Sequence, residues 1–247
     1  MPDAERTKCT PYERLAEVIY VWPIYLMPSE AIVARLGHLL DPDETARATS
    51  YRLDHVRQSF MLARSLLRVL LGQYLGAAPG TIQFSYGPRG KPKLVSPLIE
   101  FNLSYSNSLA LFAFTIGCEL GIDVEEIRPL PEMHQIAKGF FCPEEQQELM
   151  SLPTEERERA FFLCWTRKEA YIKALGHGLS VPLDSFRVTL KLDEPARLIH
   201  VAHSARSASV WTLHNLEIQS RYASALAYRA APRAIHVYPL IQSAELL

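Results

Sequence analysis

RAFFLCWTRKEAYIKALG, residues Arg159–Gly176, echoes an earlier stretch, RQSFMLARSLLRVLLGQYLG, residues Arg57–Gly76. Both place apolar side chains near helical spacing and end on a glycine, which predicts two helices of similar length with glycine stops. Two such helices, each accompanied by strands, indicate an α+β molecule built from two related halves. Two copies are a small basis for a repeat, and coincidence is the alternative.

The residues between the predicted helices are typical of β-strands. Leu109–Ile116 is a continuous apolar run, and Leu120–Glu125 follows it as a second strand. Only residues 117–119 separate the two, which predicts a hairpin.

Beyond this hairpin, Pro143 interrupts a helical stretch that runs from Pro131 to Met150. A proline followed by acidic residues is typical of a helix start, so one or two helices interrupted at Pro143 are predicted here. The tail predicts further strands, at Phe186–Leu190, Ser209–Leu213 and Ser224–Tyr228.

The composition is that of a globular protein, with 48% hydrophobic and 21% charged residues in 247. Charged residues interrupt the first twenty positions, which excludes the apolar run of a signal peptide. No apolar stretch approaches the roughly 20 residues of a membrane span. Cys9, Cys118, Cys142 and Cys164 lack zinc-ligand spacing and are expected to be reduced thiols. We therefore expect a cytoplasmic protein without a membrane partner.

Charge is divided unevenly along the chain. Residues 46–99 hold eight bases and one acid, whereas residues 117–169 hold twelve acids and six bases. This division is what a polyanionic ligand bridged by a metal to acidic side chains would need. Two ordinary solvated faces are the alternative.

Asp123 and Glu125 lie two residues apart in the predicted strand Leu120–Glu125 and therefore share one of its faces. Two converging carboxylates suit a hard cation such as Mg²⁺, which leaves its other positions to water and phosphate. The motif alone is weak evidence for a metal site, because a solvent-exposed strand end can carry the same two acids.

In the second predicted helix Trp165, Glu169, Lys173 and Gly176 share a face. Glu169 and Lys173 alone are compatible with a surface ion pair. Trp165 on the same face indicates that it is turned inward, where a carboxylate needs a cation to offset desolvation.

Two polar loops precede these motifs. Gly87–Pro92 presents Arg89 and Lys91 from a stiff backbone suited to phosphate contacts, and Asn102–Asn107 leads into the apolar strand. Each loop alone is unremarkable in composition.

Taken together and in order, these motifs resemble the Sfp-type 4′-phosphopantetheinyl transferase family. The resemblance extends from about Ala46 through Phe186. It is carried by Gly90-Lys91-Pro92, Asn102-Leu103-Ser104-x-Ser106, Gly121-Ile122-Asp123-Val124-Glu125, the run from Trp165 through Lys168, Glu169, Lys173 and Gly176 to Gly178-Leu179, and Pro182–Phe186.

The resemblance implies two similar α/β subdomains related by a pseudo-twofold axis, predicted as residues 1–116 and 117–247, with coenzyme A in the cleft between them. It implies transfer of 4′-phosphopantetheine to a serine of an apo acyl or peptidyl carrier protein, with release of 3′,5′-adenosine bisphosphate, by a monomer without a nucleic-acid partner. A homologue that binds coenzyme A or a carrier without efficient turnover is one alternative. A Mg²⁺-dependent phosphoesterase is another.

The resemblance also implies a set of site residues. Asp123, Glu125 and Glu169 would hold Mg²⁺, with Glu169 as the base that takes the serine proton and Lys173 on the phosphate. Coenzyme A contacts are expected from Arg57, Lys91, Ser104, Tyr105, Lys168 and Lys173, with Arg52 or Arg64 as substitutes for Arg57.

One position departs from the family pattern. Tyr105 stands where the family usually has a histidine. A tyrosine donates a hydrogen bond but carries no positive charge near neutral pH. We therefore expect weaker coenzyme A binding.

Overall fold

The computed structural model describes residues 12–96, 98–176, 181–202 and 208–246. Its helices are α1 Glu30–Leu36, α2 Pro42–Ser50, α3 Asp54–Leu75, α4 Met133–Phe140, α5 Pro143–Ser151 and α6 Thr154–Leu175. Its strands are β1 Val18–Tyr25, β2 Phe84–Tyr86, β3 Pro92–Leu94, β4 Glu100–Ser106, β5 Leu109–Thr115, β6 Leu120–Glu126, β7 Phe186–Val188, β8 Leu198–Val201, β9 Thr212–Asn215, β10 Tyr222–Tyr228, β11 Ala234–Val237 and β12 Ile241–Gln242.

The two long helices confirm the predicted echo. α3 and α6 each have 22 residues, and each ends at a glycine in left-handed backbone, Gly76 with φ 62° and Gly176 with φ 72°. Such a terminus favours glycine because a β-carbon is strained there. The predicted helix break at Pro143 is also confirmed, since Pro143 opens α5.

The first half is built on a sheet with strand order β11-β1-β5-β4, with β12 also paired to β1. α3 covers this sheet through a core that includes Leu66 and Leu70 from the helix and Trp22 and Phe112 from the strands. All four side chains are buried to at least 99%. Burial of this apolar surface is the main stabilising term of this half.

The second half has the sheet order β6-β10-β9, and α6 packs across β6 and β10. The contact is close at Gly121, where a β-carbon would lie 2.1 Å from the carbonyl oxygen of Ala170. Only glycine permits that approach of strand to helix. The structure is thus α+β with two similar halves, as predicted.

The predicted hairpin between Leu109–Ile116 and Leu120–Glu125 is wrong. β5 pairs with β1 and β4, whereas β6 pairs with β10 in the other sheet. Side chains of β4 meet the edge of β6 instead: the Ile122 N–H donates to Asn102 Oδ1 at 2.9 Å and the Glu126 N–H to Ser106 Oγ at 3.1 Å. These side-chain acceptors satisfy backbone donors that a hairpin partner would otherwise take.

The tail follows the predicted strands only in part. β7 and β10 confirm two of them, whereas Ala208–Val210 is a 3₁₀ turn and β9 begins at Thr212. β11 and β12 then cross back and pair in parallel with β1. The predicted second subdomain, residues 117–247, thus contributes strands to the sheet of the first half.

A buried ion pair lies beneath the long helix in each half. Glu44 Oε2 is 2.7 Å from Arg68 Nε, and Glu145 Oε2 is 2.7 Å from Lys168 Nζ. Both carboxylates also accept the N–H of their own helix N-cap, Asp41 or Cys142, in a capping box. Among the described residues, no helix is long and apolar enough to cross a membrane.

Candidate active site

A cleft of about 290 Å³ lies between the two halves. α2, α3, the β2–β3 hairpin and β4 form one side, and the last turn of α6 forms the other. Its lining residues are Arg47, Tyr51, Phe60, Arg64, Tyr86, Arg89, Gly90, Lys91, Pro92, Asn102, Leu103, Tyr105, Ile172, Lys173 and Gly176.

The outer part of the cleft is basic and aromatic. Arg64 is fixed by Glu44 Oε1, 2.5 Å from its Nε, and its guanidinium lies 4.7 Å from the ring centre of Phe84. Burial raises the pKa of Tyr105, and nearby Arg47 counteracts this only in part. Tyr105 is therefore a neutral hydrogen-bond donor beside arginines, which suits an anionic group.

The inner end of the cleft is a network of charge. Lys173 Nζ lies 2.5 Å from Asp123 Oδ1 and donates to Ser104 Oγ at 2.8 Å. The Ser104 hydroxyl in turn donates to Asp123 Oδ1 at 2.8 Å. Lys173 thus pairs with Asp123 of the neighbouring strand β6, not along its own helix.

Two more carboxylates adjoin Asp123. Burial raises the pKa of Glu125, and the Asp123 carboxylate raises it further. The pKa of Glu169 is raised by burial and then by Asp123, and to a lesser extent by Glu125, while Lys173 lowers it. The three carboxylates are thus near enough to repel one another.

This arrangement fits a divalent cation. Asp123 is buried, and its Oδ2 has no hydrogen-bond partner. A buried carboxylate oxygen needs a partner to offset its desolvation, and a hard cation is a suitable one. In the described part of the chain no three acidic, His or Cys side chains are already closed around a metal position.

β4 orients these acids from the other half. Ser106 Oγ donates to Glu125 Oε2 at 2.8 Å, and Asn107 Nδ2 donates to Glu126 Oε2 at 2.8 Å. Asn107 has φ 51°, a left-handed conformation that asparagine tolerates better than most residues. The polar motif on β4 is thus a support for the acidic strand.

The structure brings several predicted ligands to the cleft and leaves two elsewhere. Ser104, Tyr105, Lys91 and Lys173 are at the cleft or its inner end. Arg57 lies on the first turn of α3, 2.9 Å from Asp54. Lys168 is fully buried behind the helix, where it pairs with Glu145 and donates to the carbonyls of Leu183 and Phe186.

Lys91 lines the cleft with its stem, and its ammonium is directed into the second half. Lys91 Nζ donates to the carbonyl of Leu120 at 2.8 Å and to that of Ala174 at 3.2 Å. Burial lowers the pKa of Lys91 to about 8, so the group is charged at pH 7. Its predicted contact with coenzyme A stays a prediction.

The sequence motifs did not identify Arg47, Tyr51 and Tyr86 as cleft residues. Arg47 belongs to the basic segment 46–99. The charge of that segment indicated a basic surface but did not single out any one arginine. Tyr51 and Tyr86 carried no signal. The motif residues Gly178 and Leu179, and Cys9, lie outside the described residues.

A basic cleft that ends at a lysine and neighbouring carboxylates is suited to a phosphate-containing ligand. Comparison with known proteins agrees. The profile of the 4′-phosphopantetheinyl transferase superfamily matches residues 119–227. The 4′-phosphopantetheinyl transferase HetI of Nostoc sp. (strain PCC 7120 / SAG 25.82 / UTEX 2576) is 39% identical over 206 residues, which are 82% of this chain and 84% of that protein.

Two further relatives carry the same designation. Psf-1 of Bacillus pumilus is 32% identical over 206 residues, covering 83% of this chain and 85% of its own, and Sfp of Bacillus subtilis (strain 168) is 31% identical over 160 residues, covering 64% and 70%. The chain belongs to the 4′-phosphopantetheinyl transferase family, a family of transferases that use coenzyme A. The resemblance in the motifs is confirmed.

Proposed function

We propose that this protein uses Mg²⁺ to transfer 4′-phosphopantetheine from coenzyme A to a serine of an apo acyl or peptidyl carrier protein, releasing 3′,5′-adenosine bisphosphate. The observation that carries the proposal is the pair of Lys173 with Asp123, whose second oxygen is buried without a partner. Asp123, Glu125 and Glu169 would hold the ion there. Family membership supplies the reaction class.

The nucleotide end of coenzyme A fits the basic part of the cleft. Arg47, Arg64 and Arg89 line it together with Tyr105. Charge-assisted hydrogen bonds from guanidinium groups are the strongest available for a 3′-phosphate. This geometry favours Arg47 for that contact over Arg57, whose guanidinium pairs with Asp54.

The pantetheine arm of coenzyme A would lie along α6. Lys173 lies at the cleft, Glu169 one turn earlier, and Trp165 another turn earlier in a second cavity of about 150 Å³. Eight residues of α-helix span about 12 Å. The second cavity is lined by Glu125, Arg128, Leu130, Ile136, Phe161, Phe162 and Trp165. Its apolar side chains suit the pantetheine arm once the pyrophosphate has passed the carboxylates.

The chemistry requires the carrier serine to lose a proton and attack the β-phosphorus of coenzyme A. Glu169, whose pKa is raised, is the base for that proton. The Lys173 ammonium offsets the charge that develops on the phosphate oxygens and on the departing bisphosphate. Mg²⁺ would supply further electrophilic stabilisation of the pyrophosphate. The Ser104 hydroxyl orients both side chains, because it accepts a hydrogen bond from Lys173 and donates one to Asp123.

We further infer a cytoplasmic monomer. Cys118, Cys142 and Cys164 are free thiols, as is usual in a reducing compartment. Both walls of the cleft come from one chain, so one copy supplies a complete site.

The test is intact-mass measurement of apo carrier proteins, acyl and peptidyl, incubated with the enzyme and coenzyme A. Addition of a phosphopantetheine mass that requires Mg²⁺ is expected. Glu169→Gln should slow the reaction by about 10²–10⁴-fold, the usual contribution of a general base. Glu155→Gln, an exposed change on the same helix, is the matched control.

Two results would contradict the proposal. Absence of mass gain on every carrier, with coenzyme A still bound, would indicate a binding homologue. Release of free phosphopantetheine without a carrier would indicate a phosphoesterase.

A further inference from the structure

The hairpin of β2 and β3 forms a small two-stranded sheet at the mouth of the cleft. Its tip, Gly87–Lys91, closes on itself: the Gly87 N–H donates to the Lys91 carbonyl at 2.9 Å and the Gly90 N–H to the Gly87 carbonyl at 2.8 Å. The tip brings Arg89 to the cleft beside Tyr86. The position of this cleft wall therefore depends on how the tip is fastened to the rest of the molecule.

The Lys91 ammonium connects the tip to two elements of the other half. Leu120, whose carbonyl accepts one hydrogen bond, begins β6, and Ala174, whose carbonyl accepts the other, lies in the last turn of α6. The last carbonyls of a helix lack helical partners and carry the negative end of its dipole, so they attract a cation. These same two elements carry the carboxylates and Lys173.

The junction where the ammonium sits is tight. At Gly121, the residue after Leu120, a β-carbon would lie 2.3 Å from the Ala174 nitrogen. At Gly176 a β-carbon would lie 3.4 Å from Lys91 Cδ. β6, α6 and the Lys91 stem are thus in contact, and the ammonium already has two acceptors. Two of its three N–H donors are thus engaged by carbonyls of the second half.

We infer that Lys91 is a positioning residue: its ammonium latches the Gly87–Lys91 tip onto β6 and α6 and so fixes the width of the cleft, while its stem lines the cleft. The inference rests on the proposed function only for the identity of the ligand as coenzyme A. The latch itself is a contact between the two halves of the free protein.

Lys91→Met tests the latch because it keeps the stem and removes the donors. Without ligand, the melting temperature should fall by about 5 °C, the scale expected for lost charged hydrogen bonds in a chain of this size. Calorimetry well below that temperature should show Kd raised about tenfold, equally for coenzyme A and 3′-dephospho-coenzyme A. Lys91→Arg should recover part of both losses, because a guanidinium donates to two carbonyls. Lys93→Met, an exposed change on the same hairpin, should change neither value.

An unchanged melting temperature with weaker coenzyme A binding would make the ammonium a direct ligand and overturn the inference. A lower melting temperature with unchanged Kd would make Lys91 merely structural and overturn it too. If Lys91→Met does not fold, Lys91→Gln is measured by amide hydrogen exchange: faster exchange confined to residues 86–92 supports the latch, and unchanged exchange contradicts it. None of these measurements needs turnover, so an inactive transferase would leave the test intact.

Discussion

α3 and α6 are similar helices with different tasks. Arg68 and Lys168 occupy the same place in them, counted from Asp54 and Thr154, and each pairs with a buried glutamate of the preceding capping box. The next residue is Val69 in α3 but Glu169 in α6. The shared position pairs with a buried glutamate in each half, and the position after it carries a carboxylate only in α6.

The two halves also supply different kinds of residue to the candidate site. The first half supplies the arginines and tyrosines of the cleft, whereas the acids and Lys173 come from the second half. Arg68 and Lys168 are thus a shared structural feature of the two halves, whereas the residues proposed for the chemistry differ between them.

The largest expected effect comes from breaking the shared ion pairs. Lys168→Met leaves Glu145 buried without its ionic partner, which typically costs about 3–5 kcal/mol. It should lower the free energy of unfolding in urea by that amount and the melting temperature by about 10 °C. Arg68→Met should cost less, because Glu44 keeps its ion pair with Arg64.

The same two variants sharpen the comparison through ligand binding. Kd for coenzyme A, measured well below both melting temperatures, should stay as in the wild type for both. If Lys168→Met alone weakens coenzyme A binding, Lys168 is a phosphate ligand and its equivalence to Arg68 is broken.

A smaller effect should separate two arginines of the first half. Arg47→Ala is expected to raise Kd for coenzyme A about tenfold, because a charge-assisted contact to the 3′-phosphate is lost. The loss should vanish with 3′-dephospho-coenzyme A. Arg57→Ala is the matched control, since an exposed pair such as Arg57–Asp54 contributes about 0–1 kcal/mol. The opposite ranking, measured by calorimetry, would return the contact to Arg57.

The smallest effect is expected at Tyr105. Tyr105→His should lower Kd for coenzyme A about threefold at pH 6, where an imidazole with an ordinary pKa near 6.5 is mostly protonated. Above pH 8 the histidine is neutral and the gain should disappear. Equal Kd values for the two proteins at pH 6 would mean that Arg47 and Arg64 already supply all the charge this subsite needs.

Local sequence patterns predicted much of the secondary structure. Helical spacing and the stops at Gly76 and Gly176 predicted α3 and α6, and Pro143 predicted the start of α5. The hairpin prediction failed because chain proximity suggested that β5 pairs with β6. In the structure β4 presents Asn102 and Ser106 to that edge. A choice between backbone and side-chain partners depends on tertiary packing, which spacing does not encode.

Residues of the candidate site could be proposed from the sequence only where they belong to a motif. Asp123, Glu125 and Glu169 stood out by strand and helix periodicity, helped by the family resemblance. Arg47 and Tyr51 did not, because single residues in a loop and a short helix reach the cleft only through the packing of α2 on α3. Lys168 is the opposite case: the motif predicted a coenzyme A contact, but its position on α6 directs the side chain into the core.

The return of β11 and β12 to β1 affects how the protein can be divided. Tyr238, which follows β11, stacks on Trp22 of β1 at 3.7 Å between ring centres, and Ser243 Oγ accepts the N–H of Met27. A cut at residue 116 would therefore separate the sheet of the first half from β11 and β12, whereas β6, β9 and β10 would stay together. Because β11 and β12 pair with β1, we expect the two halves to unfold together and not as two exchangeable modules.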